Sequence, residues 1–182
     1  MGKLFVISGS SGVGKGTVIK SFLSKHPEFK LSISCTTRQK REGEVHGENY
    51  FFLSQDEFKQ CIDNDEFLEW AEFSGNFYGT KKDFVKNCIS KGENIILEID
   101  TKGALNVKKL IPEAHLIFIM PPSIDELEAR LRGRHTETEE SIQKRLSSIK
   151  SEIENSKLYD YKVINDTVEN AVKQIESIIN AT

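Results

Sequence analysis

The chain is poor in cysteine, has no long apolar run and carries almost no excess charge, and each shortage removes a class of protein. Its three cysteines, Cys35, Cys61 and Cys88, are odd in number and too far apart for a Cys-x-x-Cys pair, so they read as reduced thiols. No apolar stretch is long enough to span a bilayer. The N-terminus runs straight into a strand-like segment without the regions of a secretion signal, and Val6 stands where a myristoylation signal needs Ser or Thr. A cytoplasmic setting with no membrane partner is expected. Twenty-five basic residues against 28 acidic ones leave a formal charge of −3, so no overall field attracts nucleic acid, and any phosphate binding must come from local clusters. There is no internal repeat and no low-complexity segment. The four histidines, His26, His46, His115 and His135, form no metal-binding or catalytic pattern.

What the chain does have is a glycine-rich loop in a telling place. Gly9-Ser10-Ser11-Gly12-Val13-Gly14-Lys15-Gly16 follows the apolar run Leu4-Phe5-Val6-Ile7 and precedes Val18, Ile19, Phe22 and Leu23 at helical spacing. Strand, loop, lysine and helix in this order favour a phosphate-binding loop over a plain connecting turn. The glycines let backbone N–H groups converge, the helix adds its positive end, and Lys15 supplies a mobile charge for β/γ phosphates. A nucleoside triphosphate is the expected ligand. The strict pattern has a hydroxyl residue after the lysine to meet Mg²⁺; here Gly16 stands there and Thr17 follows, so Thr17 is either a magnesium contact or an ordinary first-turn residue.

With 182 residues, 37% of them hydrophobic, the chain can bury one good core. Strand-like runs at 4–7, 95–99, 116–120 and 162–164 alternate with amphipathic helical patterns, which predicts an α/β fold with a parallel sheet flanked by helices. The run 116–120 is continuous rather than alternating, as in a strand buried on both faces. Ser123 with Glu126, and Thr136 with Glu139, signal helix starts; the second helix carries Ile142, Leu146, Ile149 and Ile153 on one face. A last helix places Val168, Ala171, Val172, Ile175 and Ile179 at helical spacing. Between about Cys35 and Lys82 short runs such as 50–53 and 67–73 are broken by turns and by a short helix from Ser54, which predicts an inserted, mainly antiparallel lobe. A second, basic insertion spans Arg132-Gly133-Arg134-His135-Thr136.

Three further clusters carry chemistry. Arg38 and Arg41 flank Lys40 beside the hydroxyl-rich segment Ser32-Ile33-Ser34-Cys35-Thr36-Thr37; guanidinium forks grip phosphate, although such a cluster by itself is more often a solvated basic loop. A triphosphate site elsewhere shifts the balance towards a second phosphate grip. Asp100, at the carboxyl edge of the run 95–99, could organise magnesium-bound water or a base, or simply cap the next helix, and Glu98 shares that ambiguity. Arg130, Arg132, Arg134 and Arg145 could close over a triphosphate, with Arg134 and Arg145 preferred.

These motifs resemble the guanylate kinase family, P-loop nucleoside monophosphate kinases. The matching segments are Gly9 to Gly16, Ser34-Cys35-Thr36-Thr37-Arg38 with Arg41-Glu42-Gly43-Glu44, Tyr50-Phe51-Phe52, Glu69-Trp70, Tyr78-Gly79-Thr80, Glu98-Ile99-Asp100, Arg134 through Arg145 and Val163-Ile164-Asn165-Asp166. They run in the family's order over essentially the whole chain. The resemblance implies transfer of the γ-phosphoryl group of ATP to GMP, with dGMP as a further acceptor to test and Mg²⁺ entering with ATP. It implies core segments 1–33, 85–125 and 148–182, a GMP-binding lobe at 34–84 and a lid at 126–147. Arg38, Arg41, Tyr50 and Tyr78 would hold the GMP phosphate, and Ser34, Glu69, Thr80 and Asp100 would read guanine. ATP would lie on Gly9, Ser10, Ser11, Gly12, Val13, Gly14, Lys15, Gly16 and Thr17, with Arg134 near its phosphates and Asn165 near adenine. Lys15, Arg38, Arg134 and Arg145 would be catalytic, and Thr17 and Asp100 would be weak metal contacts, through water or directly.

Three residues depart from the family's pattern: Gly16, Lys102 in place of a common Gln, and His135 in place of a lid glycine. A rival reading is a guanylate-kinase-like module that binds phosphorylated proteins without catalysis; the intact Gly14, Lys15, Arg38 and Arg41 speak against it. A monomer or small homo-oligomer is expected.

Overall fold

The computed structural model describes the chain except Met1, Ser11, Ser74 and residues 133–138, and except the side chains of Leu127, Arg130, Leu131, Ser141, Lys144, Arg145 and Lys150. In chain order the described elements are β1 (Leu4–Gly9), α1 (Lys15–Lys25), β2 (Lys30–Ser32), β3 (Cys35–Thr36), β4 (Phe51–Phe52), α2 (Gln55–Asp63), β5 (Phe67–Phe73), β6 (Asn76–Lys81), α3 (Lys82–Ser90), β7 (Ile95–Glu98), α4 (Thr101–Leu110), β8 (His115–Met120), α5 (Ile124–Arg132), α6 (Glu139–Asn155), a 3-10 turn (Ser156–Leu158), β9 (Tyr161–Ile164) and α7 (Val168–Ala181). A five-stranded sheet has the order β2-β7-β1-β8-β9, with β2 parallel to β7 and β9 parallel to β8. A four-stranded sheet has the order β4-β3-β6-β5; β6 is antiparallel to both β3 and β5, and β4 is parallel to β3. The α/β fold and the inserted, mainly antiparallel sheet are thus as expected.

The chain divides into two compact units, one formed by Met1–Val6 with Glu28–Ala114 and the other by Ile7–Pro27 with His115–Thr182. The first holds the four-stranded sheet. Ser54 starts α2 with a complete capping box: Glu57 N–H donates to Ser54 Oγ at 3.2 Å and Ser54 N–H donates to Glu57 Oε2 at 2.6 Å. One face of α2 then buries Phe58 with Cys35 and Phe67, and Leu53, Cys61, Ile62 and Phe77 pack around them. This is a small apolar cluster belonging to the lobe itself. Residues in β5 alternate inward Glu69 and Ala71 with outward Trp70 and Glu72, the period of two that strand geometry imposes.

In the second unit Leu116, Ile117, Phe118 and Ile119 of β8 are fully buried, which agrees with the continuous apolar run in the sequence. Each such side chain stabilises the fold by roughly 1.5–3 kcal/mol. Helix α1 packs on α7; Val18, Ile19 and Phe22 of the first and Ala171, Val172 and Ile175 of the second are buried. Ile142, Leu146 and Ile149 of α6 form a buried cluster with Ile153 against it, so the expected helical face is present, whereas the proposed cap Thr136 lies outside the described residues. Ser123 caps α5 by accepting Glu126 N–H at 3.0 Å.

Candidate active site

Each unit carries candidate site residues of its own. In the second unit, β1 ends at Gly9, where an added Cβ would lie 2.7 Å from Ile119 O, so only glycine lets the loop leave the strand this close to β8. The chain turns at Ser10, whose carbonyl accepts Val13 N–H at 3.1 Å. Gly12 and Gly14 take left-handed φ of 81° and 88°. Gly14 then serves as the N-cap of α1, and its carbonyl accepts Val18 N–H at 3.1 Å. There is no acidic side chain in the first turn of α1, so the positive end of the helix is open to an anion. Lys15 heads that helix half-buried, with Gly16 and Thr17 exposed beside it. Ser10 Oγ is buried and, among the described residues, has no hydrogen-bond partner.

Asn165 closes the loop from behind. Its backbone N–H donates to Met120 O at 2.8 Å and its side-chain amide donates to Val13 O at 2.7 Å, with only 5% of the residue exposed. A Cβ on Gly14 would come within 3.0 Å of the same amide. Asn165 therefore braces the loop, a role the sequence did not disclose. Ser11 and Arg134 lie outside the described residues; Arg145 is on α6, but its side chain is not described. Arg132, at the end of α5, is held by Glu128 and Glu139 instead of projecting freely.

In the first unit, the phosphate-grip candidates converge. Arg38 Nη2 donates to Glu44 Oε1 at 2.7 Å, its Nη1 donates to Gln39 O at 2.7 Å, and its guanidinium lies 5.4 Å from the centre of the Tyr50 ring. Glu44 Oε2 also accepts Arg41 N–H at 2.8 Å, across a turn in which Gly43 has φ 82°. One carboxylate thus organises both arginines. The hydrogen bond from Arg38 holds the Glu44 carboxyl below its usual range, and the same bond raises the Arg38 guanidinium. Tyr50 and Tyr78 meet edge to face at 6.1 Å. Burial first, and the Glu98 charge second, raise the Tyr50 phenol, which keeps it a donor at neutral pH. Arg41 itself is exposed. Ser34 lies between β2 and β3, half-buried, and its carbonyl accepts Phe51 N–H at 2.9 Å.

Glu69 and Thr80 are register partners on β5 and β6, next to an irregularity between Phe67 and Glu69. Thr80 Oγ1 donates to Glu69 Oε1 at 2.6 Å, and both residues are buried. Burial pushes the Glu69 carboxyl up to about 7, the Thr80 hydrogen bond opposes this, and the charge of Asp100 adds to it. Asp100 is the N-cap of α4, with Oδ1 accepting Gly103 N–H at 2.7 Å; the capping alternative is therefore realised. Buried Glu69 and Thr80 beside Asp100 make an acceptor-rich arrangement, suited to a planar ligand that presents N–H donors. In the sequence Glu44 stands only as part of the motif Arg41-Glu42-Gly43-Glu44, and its hold on both arginines comes from the structure.

A parallel sheet whose first strand delivers a glycine–lysine loop to a helix, flanked by helices and joined to a mixed sheet, is the fold of a P-loop nucleotide-binding protein. The family model for guanylate kinase matches residues 1–182. The chain belongs to the guanylate kinase family. It is 52% identical over 179 residues to a guanylate kinase of Prochlorococcus marinus, covering 98% of this chain and 96% of that one. It is 55% identical over 180 residues to a guanylate kinase of Clostridium acetobutylicum, covering 99% and 86%. A crystal structure of guanylate kinase from Anaplasma phagocytophilum superposes with a TM-score of 0.83 at 33% identity, covering 99% of this chain and 85% of that one. Among the described residues, no helix is long and apolar enough to cross a membrane.

Proposed function

We propose that the protein transfers the γ-phosphoryl group of ATP to GMP, giving ADP and GDP. The observation that carries the acceptor choice is Glu69, a buried carboxylate fixed by Thr80 beside Asp100. Guanine offers N1–H and an exocyclic amine to such an acceptor; adenine has an acceptor at N1 and would leave the carboxylate facing a lone pair. Arg38, Arg41, Tyr50 and Tyr78 then take the GMP phosphate, with Ser34 completing the base site, and segment 34–84 acts as the GMP lobe.

The loop from Gly9 to Thr17 takes the ATP phosphates, Lys15 neutralising charge on the transferred group. Arg134 and Arg145 of segment 126–147 add positive charge there as a lid, and Asn165 shapes the loop from behind. No general base is required, because a phosphate monoester with a second pKa of about 6 is already largely dianionic. Among the described residues no group of three or more His, Cys, Asp or Glu could hold a metal ion. That suits Mg²⁺, which keeps several waters and leans on substrate phosphates, needing one or two protein oxygens such as the Thr17 hydroxyl or, through water, Asp100. When bound with ATP it would spread the developing charge. Closure over both nucleotides would exclude water and suppress wasteful ATP hydrolysis.

The test is ADP release with ATP and Mg²⁺ against GMP, dGMP, AMP, CMP, UMP and a blank without acceptor. Turnover with GMP and little with AMP is expected. Strong AMP use overturns the Glu69 assignment; silence with every acceptor, joined to tight phosphopeptide binding, favours a non-catalytic binding module.

A further inference from the structure

Gly103 lies buried in the first turn of α4 with ordinary helical backbone, not in the left-handed region that calls for glycine elsewhere in this chain. Alanine is the better helix former there, so helix geometry gives no reason for glycine. Space does. A Cβ built on Gly103 would lie 2.5 Å from Glu69 Oε2, 3.1 Å from its carboxyl carbon and 3.4 Å from Asp100 Oδ1. The other carboxylate oxygen is tied to Thr80 at 2.6 Å, so Glu69 cannot yield to a methyl group and also keep that bond and its place.

We propose that Gly103 is a specificity-determining position: the missing side chain is the room in which the Glu69 carboxylate stands beside Asp100, and any larger residue displaces the group that reads the base. This inference rests on the assignment of Glu69 as the guanine reader. The atom that must move is the far end of a flexible side chain, so the effect falls on recognition and not on the fold. Gly103 touches no substrate and acts as a positioning residue.

The experiment compares Gly103→Ala, Glu69→Asp and the double variant with the unaltered protein, using GMP and inosine monophosphate as acceptors. The latter keeps N1–H and lacks the exocyclic amine. Gly103→Ala is expected to raise the KM for GMP roughly ten-fold and to lower the preference for GMP over inosine monophosphate, with the KM for ATP and kcat at saturating GMP within about two-fold. In the Glu69→Asp background, where the side chain is one methylene shorter, the same alanine should cost roughly three-fold or less, a non-additivity expected of residues in contact. Equal costs in both backgrounds, or an unchanged KM for GMP, overturn the proposal. If Gly103→Ala does not fold, folding of the double variant supports it and failure of both overturns it. A separate Glu69→Gln variant guards the underlying assignment: unchanged GMP selectivity there refutes Glu69 as reader, whereas lost selectivity with an unaffected Gly103→Ala refutes only the role of Gly103.

Discussion

The side-chain amide of Asn165 donates to the carbonyl of Val13 at 2.7 Å, joining the end of β9 to the phosphate loop across 152 residues of sequence. Because the bond is buried, its loss leaves an unsatisfied carbonyl that costs about 1–3 kcal/mol. Asn165→Ala should lower the melting temperature and raise the KM for ATP several-fold, while the KM for GMP changes by less than about two-fold. Steady-state kinetics in both substrates, together with thermal unfolding, check this.

Lys15 heads α1 beside a first turn that has no acidic residue. If its charge acts on the transferring group, Lys15→Ala lowers kcat by about 10²-fold or more. GMP binding at equilibrium, without ATP, should stay near its original strength. Calorimetric GMP titration of the variant separates the two quantities, and matching losses in both would contradict this division of roles.

Glu69 titrates at about 7 in the folded protein, against an ordinary value of 4.5. A raised carboxyl favours the fold in its protonated form, so its contribution is complete below pH 4.5 and declines as pH rises through 7. Glu69→Gln should flatten that decline, recovering up to about 3 kcal/mol at pH 8 in urea unfolding. Recognition runs the other way, because the ionised form accepts from guanine. The KM for GMP should therefore climb as pH falls below about 7. The Gln variant should keep only the part of that rise due to the GMP phosphate itself.

Glu44 holds Arg38 through its side chain and Arg41 through its backbone. Glu44→Gln removes the charge and loosens both, so the KM for GMP is expected to rise roughly ten-fold. The melting temperature should fall by only a few degrees, since the part-buried glutamine side chain keeps an oxygen that can still accept from Arg38 or from Arg41 N–H. Kinetics and thermal unfolding on the same preparation distinguish positioning from folding.

The phosphate loop was legible because its signal is local: strand, glycines, lysine and helix are adjacent in sequence and each residue has its own reason to be there. The same holds for the Ser54 cap and for the face of α6 bearing Ile142, Leu146 and Ile149. Glu69 enters the expected site only through family resemblance. In a mostly apolar run acids read as solvent-facing members, as Glu72 is, and nothing local reveals that Glu69, paired with Thr80, is the buried one. Gly103 was hidden for a related reason. A glycine inside a helix explains itself only when the neighbour filling its space, 34 residues earlier in the chain, is known. Asn165 is expected near adenine by resemblance; that its amide also donates to Val13 O was not legible, because that bond is set by tertiary approach between distant segments.

The separate apolar cluster of Cys35, Phe58 and Phe67 has an evolutionary consequence. Substitutions that reshape the base pocket strain this satellite cluster first, leaving the buried run of β8 and the packing of α1 on α7 untouched. On the proposed assignment, acceptor preference can therefore change through mutations whose cost falls on the lobe's own apolar cluster.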